Sequence, residues 1–397
     1  MINVFWHSLM ASGRWKLIPA LIMFGLTQLA SMQGWPTLSC FILSAIGIIP
    51  IALLLSDATE EISEHSGPTI GAICTAVFGN CAEFIIALSA LRLGLIDVVK
   101  ASLTGAILSD LLLVTGLAML VGGLRYSEQS FQATMARTNG AAMTLAVMAM
   151  ALPASLISTS GIDDPVAIHG LSITVAVVLI VIYFLTLIFS LATHSHLFDP
   201  LHVEGDGLSL AAESTASVRL MPWIVQLILS TAFLAYQSES FVHFLEPATK
   251  QLGFSALFTG IIIIPIIGGF SEYIPAVKGA LRNRMDLPIS LAMGSSLLVA
   301  LLIAPALIII GSLIGQPMDL DFTGFEVIAL FFSVIIVNFV NMDAKSNWLE
   351  GVLLLGMFAI FGAAFFYYPA DCDRLFKSGD IASISLFWVQ VDSVIFG

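Results

Sequence analysis

The sequence predicts an all-α polytopic membrane protein of about 11 transmembrane helices, built from two inverted-topology repeats, and three observations lead there. Composition is the first. Of 397 residues, 58% are hydrophobic and 10% charged, with a mean hydropathy of +1.00, a balance that a water-soluble chain cannot divide between core and surface. The second is a succession of apolar runs of roughly 20 residues, separated by short polar gaps. The third is an internal repeat. Glu83, in Gly79-Asn80-Cys81-Ala82-Glu83, and Glu272, in Gly268-Gly269-Phe270-Ser271-Glu272, lie 272 − 83 = 189 residues apart. The same offset joins Gly71 to Gly260, Asp97 to Asp286, Gly105 to Gly294 and Gly122 to Gly311, so the likeness extends well beyond the two acids.

Taken in order, the apolar runs place spans near 17–33, 37–56, 68–92, 96–122, 131–153 and 166–193, then 219–244, 253–281, 285–314, 323–341 and 348–368. Residues 1–34 read as a retained first helix, because no small-residue cleavage pattern follows Arg14 and Lys16. Residues 35–193 form the first repeat half and 219–397 the second. The polar stretch 194–218, with Gly205-Asp206-Gly207, reads as a cytoplasmic linker. Acidic groups Asp57, Glu60, Glu61 and Glu64 are expected in a solvated loop, as are Asp163 with Asp164 and Asp319 with Asp321.

Lysine and arginine set the orientation. Nine fall on one side of this layout (Arg14, Lys16, Arg125, Arg137, Arg219, Lys278, Arg282, Arg284 and Lys345) and five on the other (Arg92, Lys100, Lys250, Arg374 and Lys377). The N-terminus is therefore expected in the cytoplasm, and a bacterial plasma membrane is the simplest host. The net charge of −13 argues against a nucleic-acid partner. Cys40, Cys74, Cys81 and Cys372 show no disulfide or zinc spacing. Neither a His-Glu-x-x-His run nor a Ser/His pair suggests an enzyme, and no cofactor motif is present.

An ionised carboxylate at mid-bilayer costs at least ~2.5 to 3.5 kcal/mol, so Glu83 and Glu272 need a reason to be there. One alternative is a protonated contact between helices. Duplication in register favours a second, in which two acids meet at the repeat interface and hold either one divalent cation or two protons. Glycine at 79, 268 and 269 would permit a helix break and free carbonyls for a hard cation. Asn80, three residues before Glu83, can add a carboxamide oxygen. Asp110 is a third membrane-depth acid; Val299 stands at its repeat counterpart. Thr75, Ser109, Tyr273 and Ser295 are placed to support these ligands from behind. Glu350, Asn338 and Asn341 lie near span ends, where interfacial placement accounts for them.

The runs Asp57-Ala-Thr-Glu-Glu61, Gly67-Pro-Thr-Ile-Gly71, Phe78-Gly-Asn-Cys-Ala-Glu83, Val99-Lys-Ala-Ser-Leu-Thr-Gly105 and Lys345-Ser-Asn-Trp-Leu-Glu-Gly351 resemble calcium/proton antiporters of the calcium:cation antiporter superfamily. The resemblance covers nearly the whole chain. It implies Ca²⁺ as transported ion, protons as counter-ion, Glu83 and Glu272 as metal-binding acids, and Asn80 beside them. The chain departs from the family pattern at Gly269, where asparagine is usual, at Tyr273 for histidine and Leu298 for glutamine. Thr75 and Asp110 also stand where asparagine is often found. The function expected is secondary active exchange of Ca²⁺, or a similar cation, for protons. Exchange coupled to sodium or potassium, and a non-transporting sensor or scaffold that keeps the fold, stay open on the sequence alone.

Overall fold

The computed structural model describes residues 17–66, 71, 74, 77–160, 164–193 and 220–368. Thr75 and the linker 194–218 lie outside them. Helix fills every expected apolar run within these residues: α1 (Leu17–Met32), α2 (Thr37–His65), α3 (Cys81–Arg92), α4 (Ile96–Arg125), α5 (Ala133–Ser160), α6 (Pro165–Ile188), α7 (Leu220–Leu252), α8 (Ala256–Gly268), α9 (Phe270–Leu281), α10 (Asp286–Leu313), α11 (Gly324–Val340) and α12 (Trp348–Tyr367). Seven are long and apolar enough to cross a membrane, eight with α8 and α9 taken as one bent span; α1 and α11 are shorter apolar helices.

Several helices are too long for a perpendicular crossing, α2 and α7 among them. At 1.5 Å per residue, the 29 residues of α2 and the 33 of α7 reach about 44 and 50 Å, against a hydrocarbon core of about 30 Å. They are repeat counterparts, since 37 + 189 = 226, and they pack along each other more extensively than any other pair of elements. Phe41 stacks on Phe241 with centroids 5.2 Å apart. The fully buried Gln237 donates to the Thr27 hydroxyl at 3.0 Å and to the Ser44 carbonyl at 3.1 Å, tying α7 to α1 and α2. The expected end of the second span at residue 56 is too early. Helix α2 continues to His65 and carries Asp57, Glu60, Glu61 and Glu64 as helix surface rather than loop. The reason is amphipathicity: Ala58, Thr59 and Ile62 stay buried while Glu60 and Glu64 face out.

The remaining helices form the body that positions the site. Helices α8 and α9 meet at a 59° bend. Helices α4 and α10 each carry one π-helical turn, at Ser109–Val114 and Val299–Ile303. Because 109 + 189 = 298, the two distortions are also copies, placed within one residue of register. Four described helices, α4 to α7, lie between α3 and the bent α8–α9 span, an even number, so α3 and that span run antiparallel when each helix crosses once.

Repeat contacts are close where side chains are absent. A Cβ on Gly105 would overlap the backbone of Ile261, so α4 lies directly on α8. A short antiparallel pairing joins β1 (Gln129–Ser130) to β2 (Lys345–Ser346). Beside it the buried Gln129 donates to the Ala280 carbonyl at 2.9 Å and to Asn283 at 3.0 Å, while Asp286 accepts from the Gln132 N–H at 2.7 Å. The α9–α10 corner is thus stapled to the α4–α5 loop. Side chains cap two later helices: Thr323 with Glu326 on α11 and Asn347 with Glu350 on α12, each a reciprocal capping box. Glu350 is therefore a capping residue rather than a freely interfacial one. Asn338 donates to the Thr144 hydroxyl at 3.0 Å, and Asn341 is buried against Met293, so both amides make contacts inside the bundle.

Candidate ion-binding site

Glu83 lies in the first turn of α3 and Glu272 in the first turn of α9. Helix N-termini present free N–H groups and the positive end of the macrodipole, which favours negative charge there. Before α3, Gly79 and Asn80 form a turn, and the Asn80 carbonyl accepts from the Phe84 N–H at 3.1 Å. Before α9, the Gly269 N–H bonds the Pro265 carbonyl at 2.8 Å, and the Glu272 N–H bonds the Gly269 carbonyl at 2.9 Å.

The helix breaks at both glycine sites, at the Gly79-Asn80 turn and at the α8–α9 bend. Gly269 has φ −75° and ψ 4°, and Asn80 has φ −108° and ψ 29°, so neither break uses left-handed backbone. Space is what Gly269 supplies: a Cβ there would sit 2.9 Å from the Pro265 carbonyl oxygen. It would also stand 3.8 Å from Oε1 of Glu83, and a Cβ on Gly268 would stand 3.6 Å from the same oxygen. The acid of the first repeat therefore lies against the bend of the second. Gly79 is exposed within its turn.

Around Glu272 the polar groups interlock. The Asn80 amide Nδ2 donates to the Ser295 hydroxyl, and that hydroxyl donates to Oε1 of Glu272 at 2.9 Å. Asp110, in the π turn of α4, accepts on Oδ2 from the Ser296 hydroxyl at 3.4 Å. The Asp110 and Glu272 carboxyls lie close enough to feel each other's charge, and both feel that of Glu83. Asn80 and Glu272 are each 6% exposed and Asp110 4%. Ser109 and Tyr273 pair through their hydroxyls at 3.0 Å, and Tyr273 donates to the Pro265 carbonyl at 3.3 Å, tying α4 to the bend.

Three acids from the two repeats thus share one buried locus. Oε2 of Glu83 and Oε2 of Glu272 are buried without a donor, as expected of oxygens held for something other than the protein. Among the described residues no three His, Cys, Asp or Glu side chains could hold a metal ion by themselves. Carboxamide, hydroxyl, carbonyl or water oxygens must complete any cation site here.

One participant and one buried acid away from the site escape the sequence reading. Ser296 shows only as the neighbour of Ser295, because its partner lies 186 residues away. Glu326 is 1% exposed and accepts from the Thr104 hydroxyl at 3.3 Å; the Thr323-x-x-Glu326 capping pattern marks its helix start, but nothing local marks its burial.

Known proteins resemble this chain along most of its length. The family model described as sodium/calcium exchanger protein matches residues 37–192 and 222–367. A Ca²⁺/H⁺ antiporter of Aphanothece halophytica is 45% identical over 356 residues, covering 88% of this chain and 95% of the relative. One from a Synechocystis species is 45% identical over 365 residues, covering 89% and 98%. Among solved structures, native YfkE superposes with a TM-score of 0.76 at 31% identity, covering 89% of this chain and all of that one.

Proposed function

The chain belongs to the sodium/calcium exchanger protein family, in its calcium/proton antiporter branch, and from that premise we propose that it exchanges Ca²⁺ for protons at the locus shared by Glu83 and Glu272. The observation that carries this reading is the seating of Glu83 against the Gly268–Gly269 bend that launches Glu272. Two acids from antiparallel repeats at one point form a site that either repeat can open toward its own side of the membrane.

The coupling follows from charge. An ionised carboxylate in the hydrocarbon region costs ~2.5 to 3.5 kcal/mol even on lenient scales, so a bare pair is penalised by on the order of 5 kcal/mol, a population ratio of about 10⁴. One Ca²⁺ removes that penalty, and so do two protons. Reorientation of the loaded forms, but not of the bare one, is obligatory exchange. Ca²⁺ takes six to eight oxygen ligands. Glu83 and Glu272 supply the charge, and Asn80 can offer Oδ1 because its Nδ2 is committed to Ser295. Asp110 adds a third carboxyl beside Glu272. Tyr273, Ser109 and Ser295 support these groups from behind.

In this reading residues 1–34 supply a first helix, residues 35–193 and 219–397 are the two halves, and residues 194–218 link them in the cytoplasm. The lysine and arginine distribution supports a cytoplasmic N-terminus in a bacterial plasma membrane. Everted vesicles carrying the chain should take up Ca²⁺ under an imposed pH gradient, and Glu83→Gln and Glu272→Gln should each abolish uptake. Uptake insensitive to both substitutions would refute the shared-carboxylate site.

A further inference from the structure

The two acids are sequence counterparts, yet their surroundings are not. Glu272 is held by Ser295, which is held by Asn80, with Asp110 beside it and Ser296 on Asp110. Applying the 189-residue offset to each of these gives the residues that should surround Glu83: Ala106 for Ser295, Gly269 for Asn80, Val299 for Asp110 and Ile107 for Ser296. Every polar group on one side answers to an apolar or absent side chain on the other.

The structure bears the substitution out in space. A cavity of about 10 Å³ lies beside Glu83, lined by Ala106 and Val299 together with Ser102 and Gly268. That is about the volume swept by the centre of one water molecule, and a buried water needs at least two polar partners. Two are present. Oε2 of Glu83 is buried and has no donor. The Ser102 hydroxyl gives its proton to the Val99 carbonyl at 2.8 Å and keeps lone pairs to accept with.

The geometry points to this cavity as a water site, whose water bridges Glu83 and Ser102 and stays on the transported cation as the ligand that Ala106 and Gly269 do not supply. The proposal rests on the shared Ca²⁺ site described above. It makes the locus asymmetric: a half held by side chains at Glu272 and a hydrated half at Glu83. Ser102 is then a positioning residue, acting on the cation through the water.

Terbium luminescence in H₂O and D₂O counts waters bound directly to the ion and tests this on the full-length chain in detergent, with Tb³⁺ standing in for Ca²⁺. The signal used is the part displaced by Ca²⁺ and lost in Glu272→Gln. At least one bound water is expected in the wild type, and one fewer in Ala106→Ser/Gly269→Asn, which restores the polar pair. Ala106→Ser alone serves if the double variant folds poorly. As an independent readout, Ala106→Val fills the space without an oxygen and should raise the Ca²⁺ concentration for half-maximal flux by about tenfold, whereas Ala106→Ser should leave it within a few-fold. Displaceable Tb³⁺ with no bound water, or with a count unmoved by Ala106→Ser, overturns the water site while the shared site stands. Tb³⁺ that Ca²⁺ does not displace removes the shared site and this proposal with it.

Discussion

A hydroxyl has one proton to give, and at Ser295 it goes to Glu272. Its lone pairs are left to accept from Asn80, which fixes the amide with its oxygen free. Ser295→Ala should strand both partners, a loss of ~1 to 3 kcal/mol, or about 5- to 150-fold in Ca²⁺ affinity, read from the concentration dependence of flux. An unchanged affinity would show that the relay does not hold the site. Asp110 is a different case, because it adds a carboxyl to a pair already sufficient for a divalent ion. Asp110→Asn should keep exchange within about tenfold of wild type, whereas Glu83→Gln and Glu272→Gln should lose more than about 100-fold. Equal losses in all three would make Asp110 an essential third acid. Glu83, Glu272 and Asn80 were legible in the sequence, since acids in apolar runs stand out. The direction in which Asp110 faces was not, because the π turn at Ser109–Val114 rotates it away from the 3.6-residue register that sequence reasoning uses.

Among the elements, symmetry in sequence again conceals asymmetry in packing. Gly105 and Gly294 are counterparts, yet a Cβ on Gly105 overlaps the backbone of Ile261 while a Cβ on Gly294 meets nothing within 4 Å. Gly105→Ala should therefore destabilise the bundle by ~1 to 3 kcal/mol, seen as a lower thermal midpoint in detergent, and Gly294→Ala should be neutral or slightly stabilising. Equal effects would mean that α4 and α8 do not approach as closely as described. Helix positions followed from hydropathy, because a span must bury its backbone whatever it packs against. The end of α2 did not, since Glu60 and Glu64 look like loop until Ala58, Thr59 and Ile62 beside them are seen to be buried. The β1–β2 pairing joins loops 217 residues apart, a distance at which two-residue strands leave no sequence trace. Near it Glu128 lies 2.9 Å from Lys345 and holds that ammonium above the usual lysine range. The sign follows: the attraction is present while that ammonium is charged and is lost as pH rises through its raised pKa, far above neutrality. Any pH dependence near neutrality must arise elsewhere.

At the scale of the whole molecule, the 189-residue offset announced two acids, but only the fold brings one against the bend that carries the other. If metal and protons compete for that pair, the apparent Ca²⁺ affinity in flux assays should rise with pH, with a slope approaching two decades per unit where both acids are protonated before binding. A slope near zero would mean separate sites. Proton release on binding separates one shared site from two independent ones. Calorimetric titration of the purified chain with Ca²⁺, in two buffers of different ionisation enthalpy, counts protons expelled per ion. The expected count approaches two below neutral pH and falls as pH rises, and Glu83→Gln/Glu272→Gln should bind no Ca²⁺. Ca²⁺ that binds without displacing protons at any pH, or that binds the double variant as well as the wild type, would contradict the shared site.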